Sequence, residues 1–235
     1  MEAFRGTYCG PGPAPSELWQ AWNLDPFLLL TLAVLAFVIG RTRSGALAVC
    51  VLTVAFVSPL CALSAALFSA RVVHHVLLVA VAAPLIALAW PARQLRSSSV
   101  SFLLSTGVLW AWHLPQAYDF ALGNMAVYWV MQLTLLGTAI AFWRTVFDQR
   151  QGAGRALLWV LAGFMQMALL GALLTFAPAP LYALHAVAPW AWGFTPLGDQ
   201  QLGGLIMWVP AGLPFAVWAA LVARRGWRTM VQRAA

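Results

Sequence analysis

The chain has 235 residues, of which 63% are hydrophobic and 8% charged, with a mean hydropathy of +0.83. A water-soluble domain of that size needs far more charge to stay dispersed, so the composition excludes an ordinary soluble enzyme and makes lipid the main solvent. The formal net charge of +7 comes from 13 arginines and no lysine, and these form no basic stripe to follow a phosphate backbone, which argues against a nucleic-acid partner.

In lipid every backbone polar group must be satisfied within the chain, by helices or by a closed barrel. The apolar runs are continuous rather than alternating over ten-residue segments, so helices are predicted. Taken in chain order, the segment 1–25 lacks the apolar core of a cleavable signal peptide and is expected to lie outside the membrane. Seven spans follow at 26–40, 45–67, 72–90, 100–114, 121–143, 156–176 and 202–222, and a basic tail runs over 223–235. The first and fourth are short for a core of ~30 Å, which needs about 20 residues. They are expected to extend into Trp19 and Trp22, and into the segment around Trp110 and Trp112, because Trp favours the interface. Pro59, Pro84, Pro210 and Pro214 are expected to kink spans rather than end them. No repeat, low-complexity tract or second domain stands out.

Orientation is read from the arginines. Eleven of them fall in the connections after spans one, three and five and in the C-terminal tail, and the other side keeps only Arg5 and Arg71. The positive-inside rule then puts the N-terminus outside and the C-terminus in the cytoplasm, which requires an odd number of spans. The predicted fold class is an all-α integral membrane protein, a bundle of seven transmembrane helices. The cysteines Cys9, Cys50 and Cys61 are odd in number and define no disulfide framework. Cys50 and Cys61 would lie about 16 Å apart on one helix at 1.5 Å per residue, too far to bridge. Whether Cys9 meets Cys61 stays open.

The polar residues of the spans carry the functional reading. His74 and His75 open the third span, His113 closes the fourth, and His185, Asp119 and Asp199 fall in outer loops, so the four histidines collect on the non-cytoplasmic side. Arg71 and His75 share a helix face, with Arg71 expected to snorkel to headgroups. Asp119 suits either a cap or a carboxylate behind an imidazole, as in the outer sphere of a metal site. Asp199 is read as the N-cap of the seventh span. Met125, Tyr128 and Gln132 lie in the outer half of the fifth span, and Met207 about a turn into the seventh. Met165 and Met167 lie mid-sixth, 200° apart and so no pincer. Thioethers select Cu(I), although methionines in membrane helices more often only pack. Gly163, Gly171, Gly203 and Gly204 are expected to admit close helix approach. No H-E-x-x-H, G-x-S-x-G or P-loop is present, and the spans hold almost no ionisable residue, so neither a hydrolase nor a proton-coupled transporter is expected.

The strings "HHVLLVAVAAPLIAL", "WHLPQAYDFAL", "LLGALLTFAPAPLY" and, most distinctively, "DQQLGGLIMWVPAG" make the chain resemble the CtaG-type cytochrome c oxidase assembly factors over roughly residues 26 to 222. The resemblance implies a non-enzymatic, seven-span protein that handles copper, Cu(I), for insertion into the oxidase. It implies oxidase subunits or other oxidase assembly proteins as partners, besides membrane lipid. Where the family often shows H-M-x-x-H at the third span, this chain has Arg71 and Val72 and keeps only His75. Where a second H-x-x-x-H usually opens the fifth span, it has Tyr128 and Gln132. The candidate metal ligands are therefore His75, His113 and His74 with Met125, Met207 and Met167, backed by Asp119, Asp199 and His185. Two other readings stay open: a metal-free accessory subunit of a respiratory oxidase, and a b-type cytochrome with haem between His75 and His113.

Overall fold

The computed structural model describes residues 7–91 and 97–234, without the side chains of 233 and 234. Arg5, Arg93 and Arg96 lie outside the described residues, and so does the side chain of Arg233. The described residues are helical throughout apart from turns and one isolated bridge, Thr7 with Gly10. By length and composition four helices can cross a membrane: Phe68–Ala89, Met125–Val146, Ala153–Thr175 and Pro196–Gln232. A fifth candidate is the pair α2 (Arg43–Phe56) and α3 (Pro59–Ala66), bent by 46°. Helix α1 (Pro26–Ile39) is apolar but only 14 residues long.

The first helix does not reach back to Trp19 and Trp22. Asp25 caps it by accepting from the Phe27 and Leu28 amides, and Pro26 occupies its first turn, so the chain cannot continue as helix upstream. Trp19 belongs to a separate 3-10 turn, Pro15–Gln20. Tyr8 donates to the Asp25 carboxylate at 2.8 Å and holds that carboxyl below its ordinary range. The second predicted span breaks at Pro59, where Ser58 starts a new helix by capping Leu60. The fifth begins later than its apolar pattern implies. Residues Pro115–Gly123 form a separate α7, and Asn124 caps α8 (Met125–Val146) through the Ala126 and Val127 amides.

The third span is the centre of the bundle: 56% of its central window is buried, against a third or less for the other three crossing helices. It comprises α4 (Phe68–Val76), a π-helical stretch Leu77–Ala82 and α5 (Ala83–Ala89). Pro84 explains the widening, because its ring lacks an N–H and crowds the carbonyl one turn back. The freed carbonyls do not stay bare. The indole Nε1 of Trp143 on α8 donates to Val79 O at 2.8 Å, and that of Trp218 donates to Ala80 O at 2.9 Å. Two aromatic side chains from other helices thus complete the backbone of the kinked span.

Helix α6 (Ser98–His113) packs on α8. Helix α9 (Ala153–Thr175) packs on α10 (Pro196–Trp208) and on α11 (Gly212–Ala234), which contains Trp218. The predicted seventh span is two helices broken at Pro210, and the basic segment from 223 onward continues α11 without interruption. The predicted close approaches are present at α10. A side chain on Gly204 would fall 2.6 Å from Gly171 O and from the Thr175 amide, and one on Gly203 would fall 2.6 Å from the Phe68 ring. Large apolar side chains such as Phe27, Phe37, Leu133 and Leu158 face outward, as a lipid-contacting surface requires.

Cys9 and Cys61 form a disulfide with Cα atoms 5.3 Å apart, tying the N-terminal segment to α3, and Cys50 is free and exposed. The odd cysteine count hid this pair, because one thiol of three stays outside it.

Candidate functional site

The site begins with the N-terminus of α4. Asp199, one turn inside α10, is fully buried and accepts from the Phe68 amide at 2.6 Å, the Ser69 amide at 3.2 Å and Ser69 Oγ at 2.5 Å. Its charge meets the positive end of the α4 dipole and three donors. Asp199 therefore caps α4 and not its own helix. Thr195 caps α10, with its hydroxyl accepting from the Gly198 amide at 2.9 Å. This clamp sets the rotation of α4 and turns Arg71, His74 and His75 into the bundle.

Arg71 does not snorkel. It is 1% exposed, and its guanidinium carbon lies 5.4 Å from the ring centre of Tyr128 on α8. One turn along α8 is Gln132, also buried. His74, fully buried, meets the Phe56 ring edge-on at 4.8 Å. His75 lies 5.8 Å from His74 and 6.1 Å from His113, measured between ring centres. Among the described residues, all three guanidinium nitrogens of Arg71, both ring nitrogens of His74, Nε2 of His75 and both amide atoms of Gln132 lack a hydrogen-bond partner. Buried polar atoms are seldom left so, and most of those among the described residues concentrate here, which makes this place the candidate site.

His113 differs from its neighbours. Its Nδ1 lies 2.7 Å from Leu109 O, and a carbonyl only accepts, so Nδ1 carries the proton and Nε2 carries the lone pair. That is the tautomer a metal-ligating imidazole uses.

The remaining candidates separate from this cluster. His185 is buried and has both nitrogens in use: Nδ1 donates to Ala66 O at 3.3 Å, and Nε2 accepts from Tyr118 Oη at 2.7 Å. Burial pushes its pKa down to about 4. Asp119 faces no imidazole; it accepts from the Ala183 and Leu184 amides at 3.1 and 3.4 Å and holds the turn that carries His185. Met125 points outward at 64% exposure. Met167 lines a small, mainly apolar cavity with Leu109, Leu135, Phe142 and Trp143, and Met207 packs at the α9–α10 crossing beside Gly171. Among the described residues no three His, Cys, Asp or Glu side chains converge as a metal site.

Tyr118 and Tyr182 went unnoticed in the sequence. Tyr182 Oη donates to His113 O at 3.0 Å, and its ring lies 4.4 Å from that of Tyr118. Together they join His185 to His113, so the four histidines do occupy one end of the bundle. No local pattern marks this link, because its two hydrogen bonds join residues 67 and 69 positions apart.

A family model described as cytochrome c oxidase caa3 assembly factor (Caa3_CtaG) matches residues 27–229. The chain belongs to this family. No curated protein and no solved structure matches it. As a caa3-type oxidase assembly factor it is a membrane protein associated with oxidase assembly. The imidazoles of its cluster are of a type that ligates several transition metals, whereas the Arg71 guanidinium donates only and binds no metal. Arg71 and Tyr128, which stand where the resemblance would place ligands, are neighbours in space, and Gln132 lies one turn further along α8.

Proposed function

We propose that this assembly factor spans a bacterial plasma membrane seven times, with its N-terminus outside and its C-terminus in the cytoplasm, and handles Cu(I) for insertion into a haem–copper oxidase. The observation that carries the reading is the facing pair His75 and His113. His113 is held in its metal-ligating tautomer by Leu109 O, and Nε2 of His75 has no protein partner. Neutral imidazoles take a soft monovalent ion without placing a carboxylate in lipid. Arg71, one turn from His75, adds a fixed positive charge. Repulsion from it is twice as large for Cu(II) as for Cu(I), so it favours the lower oxidation state. The proposed orientation agrees with the Cys9–Cys61 disulfide, which belongs in an oxidising compartment. It also agrees with the arginines: Arg41, Arg43, Arg144, Arg150 and Arg155 lie at helix ends away from the histidines.

A second reading is a metal-free accessory subunit of the oxidase. The same Arg71 favours it, since a buried guanidinium already supplies a cation where the metal would sit. Copper analysis of the full chain purified after Cu(I) loading decides between them. The copper reading expects about one equivalent in the wild type, less than a third of that in His75→Ala and His113→Ala, and tighter retention in Arg71→Gln. Equal, near-zero copper in all four proteins, with oxidase still co-purifying, overturns it in favour of the accessory reading.

A further inference from the structure

At the end of the bundle away from the histidines, α11 separates from the ends of α5 and α8 and leaves a cleft of about 410 Å³. Its inner wall is apolar, made by Leu88, Phe147, Trp218 and Leu221. Its rim carries Arg224, Arg225 and Arg228, with Thr229 and Gln232 beyond them, and none of the lining residues is acidic. The carboxylate adjoining the wall in the chain, Asp148, is already paired with Arg150 at 3.2 Å. The three rim arginines are exposed and make no ion pair among the described residues.

We propose that this cleft is a binding site for an acidic glycerophospholipid of the leaflet that faces the C-terminus. Depth supports it. The crossing that α10 and α11 form together runs about 42 Å from Pro196 to Arg224 at 1.5 Å per residue, against a hydrocarbon core of ~30 Å. Its arginine turn therefore reaches the headgroup layer while Trp218 and Leu221 stay at acyl-chain level. Trp227, Met230 and Val231 are exposed in the same terminal stretch and anchor it in the interface.

Chemistry supports it as well. A phosphodiester accepts forked hydrogen bonds from guanidinium groups, and Arg224 and Arg228, one turn apart on α11, can meet it from the same side. Thr229 and Gln232 supply neutral donors for glycerol or headgroup oxygens. A free phosphate would use the rim and leave the apolar wall bare, whereas a lipid covers both. A zwitterionic lipid carries its own cation, which the rim repels. The site is independent of the copper reading, because it lies at the opposite end of the bundle.

The test uses the full chain, reconstituted in vesicles of phosphatidylcholine and phosphatidylglycerol, extracted in mild detergent and analysed for retained lipid by mass spectrometry. The wild type is expected to retain phosphatidylglycerol with an enrichment on the order of tenfold over its share in the vesicle. Replacing Arg224, Arg225 and Arg228 together by Gln is expected to return the retained lipid to the bulk ratio. These side chains are exposed, so the fold survives the change. Arg41→Gln with Arg43→Gln, which removes charge from the α1–α2 turn, is expected to leave the enrichment unchanged. Three results each overturn the proposal: a wild type that retains lipid at the bulk ratio, a triple variant that keeps its enrichment, or inorganic phosphate in excess stripping the lipid from the wild type.

Discussion

His185 shows how much a single side chain reports on its surroundings. It sits in a turn, where a histidine is ordinarily solvated, yet both its nitrogens are bonded and its pKa falls from 6.5 to about 4. Burial is the main cause. The nearby Arg71 charge adds to it, and the bond to Ala66 O opposes it. A folded-state value below the unfolded one means that the unfolded chain binds the proton more readily. Stability is therefore fully present above about pH 6.5 and declines as pH falls toward 4, by roughly 2–3 kcal/mol at the acid end. Thermal unfolding of the detergent-solubilised protein across that range checks this. The wild type should lose stability faster than His185→Gln as pH drops, whatever the offset between the two at neutral pH. Asp199 makes the same point with the opposite charge. Its position at the start of a helix reads as an N-cap, but a carboxylate serves whichever helix end lies opposite it, and that partner, Phe68, is 131 residues away.

The element with the least regular geometry is the third span. Its apolar run predicts one continuous helix with a kink at Pro84, and the π-helical stretch Leu77–Ala82 is how that kink is made. A widened turn in lipid is tolerable only when its loose carbonyls find donors, and Trp143 and Trp218 supply them. The sequence does not reveal this role, because an indole N–H that can bond a headgroup can equally bond a carbonyl. Trp143→Phe and Trp218→Phe keep most of the aromatic volume and remove the donor. Each should cost about 1–2 kcal/mol in thermal unfolding, and amide hydrogen exchange should rise within 77–84 rather than across the bundle. An unchanged exchange pattern would mean that the carbonyls find donors elsewhere and that the indoles only pack.

For the molecule as a whole, the disulfide is the cross-link whose effect reaches furthest. It closes a loop of 52 residues that includes α1 and α2, and α1 packs chiefly against α2. Cys9→Ser with Cys61→Ser should lower stability by about 2–4 kcal/mol and make residues 7–25 sensitive to protease, while the α9–α10 core keeps its protection. Equal protease resistance with and without the bond would show that Tyr8, stacked on Tyr128, holds the segment unaided. Much of the molecule was legible in the sequence. Helicity, lipid as solvent and the family follow from uninterrupted apolar runs, sparse charge and the string that opens with Asp199, because hydrophobic periodicity and backbone satisfaction act locally along the chain. Kinks are expected at Pro59 and Pro210, but at each the structure ends one helix and starts another. What only the tertiary structure decided is which polar groups meet. Arg71 turns inward onto Tyr128, His113 faces His75, Asp199 caps a distant helix and Cys9 finds Cys61. Each of these depends on the rotation of one helix against another, and that rotation is set by packing between residues far apart in the chain, on which local periodicity carries no information.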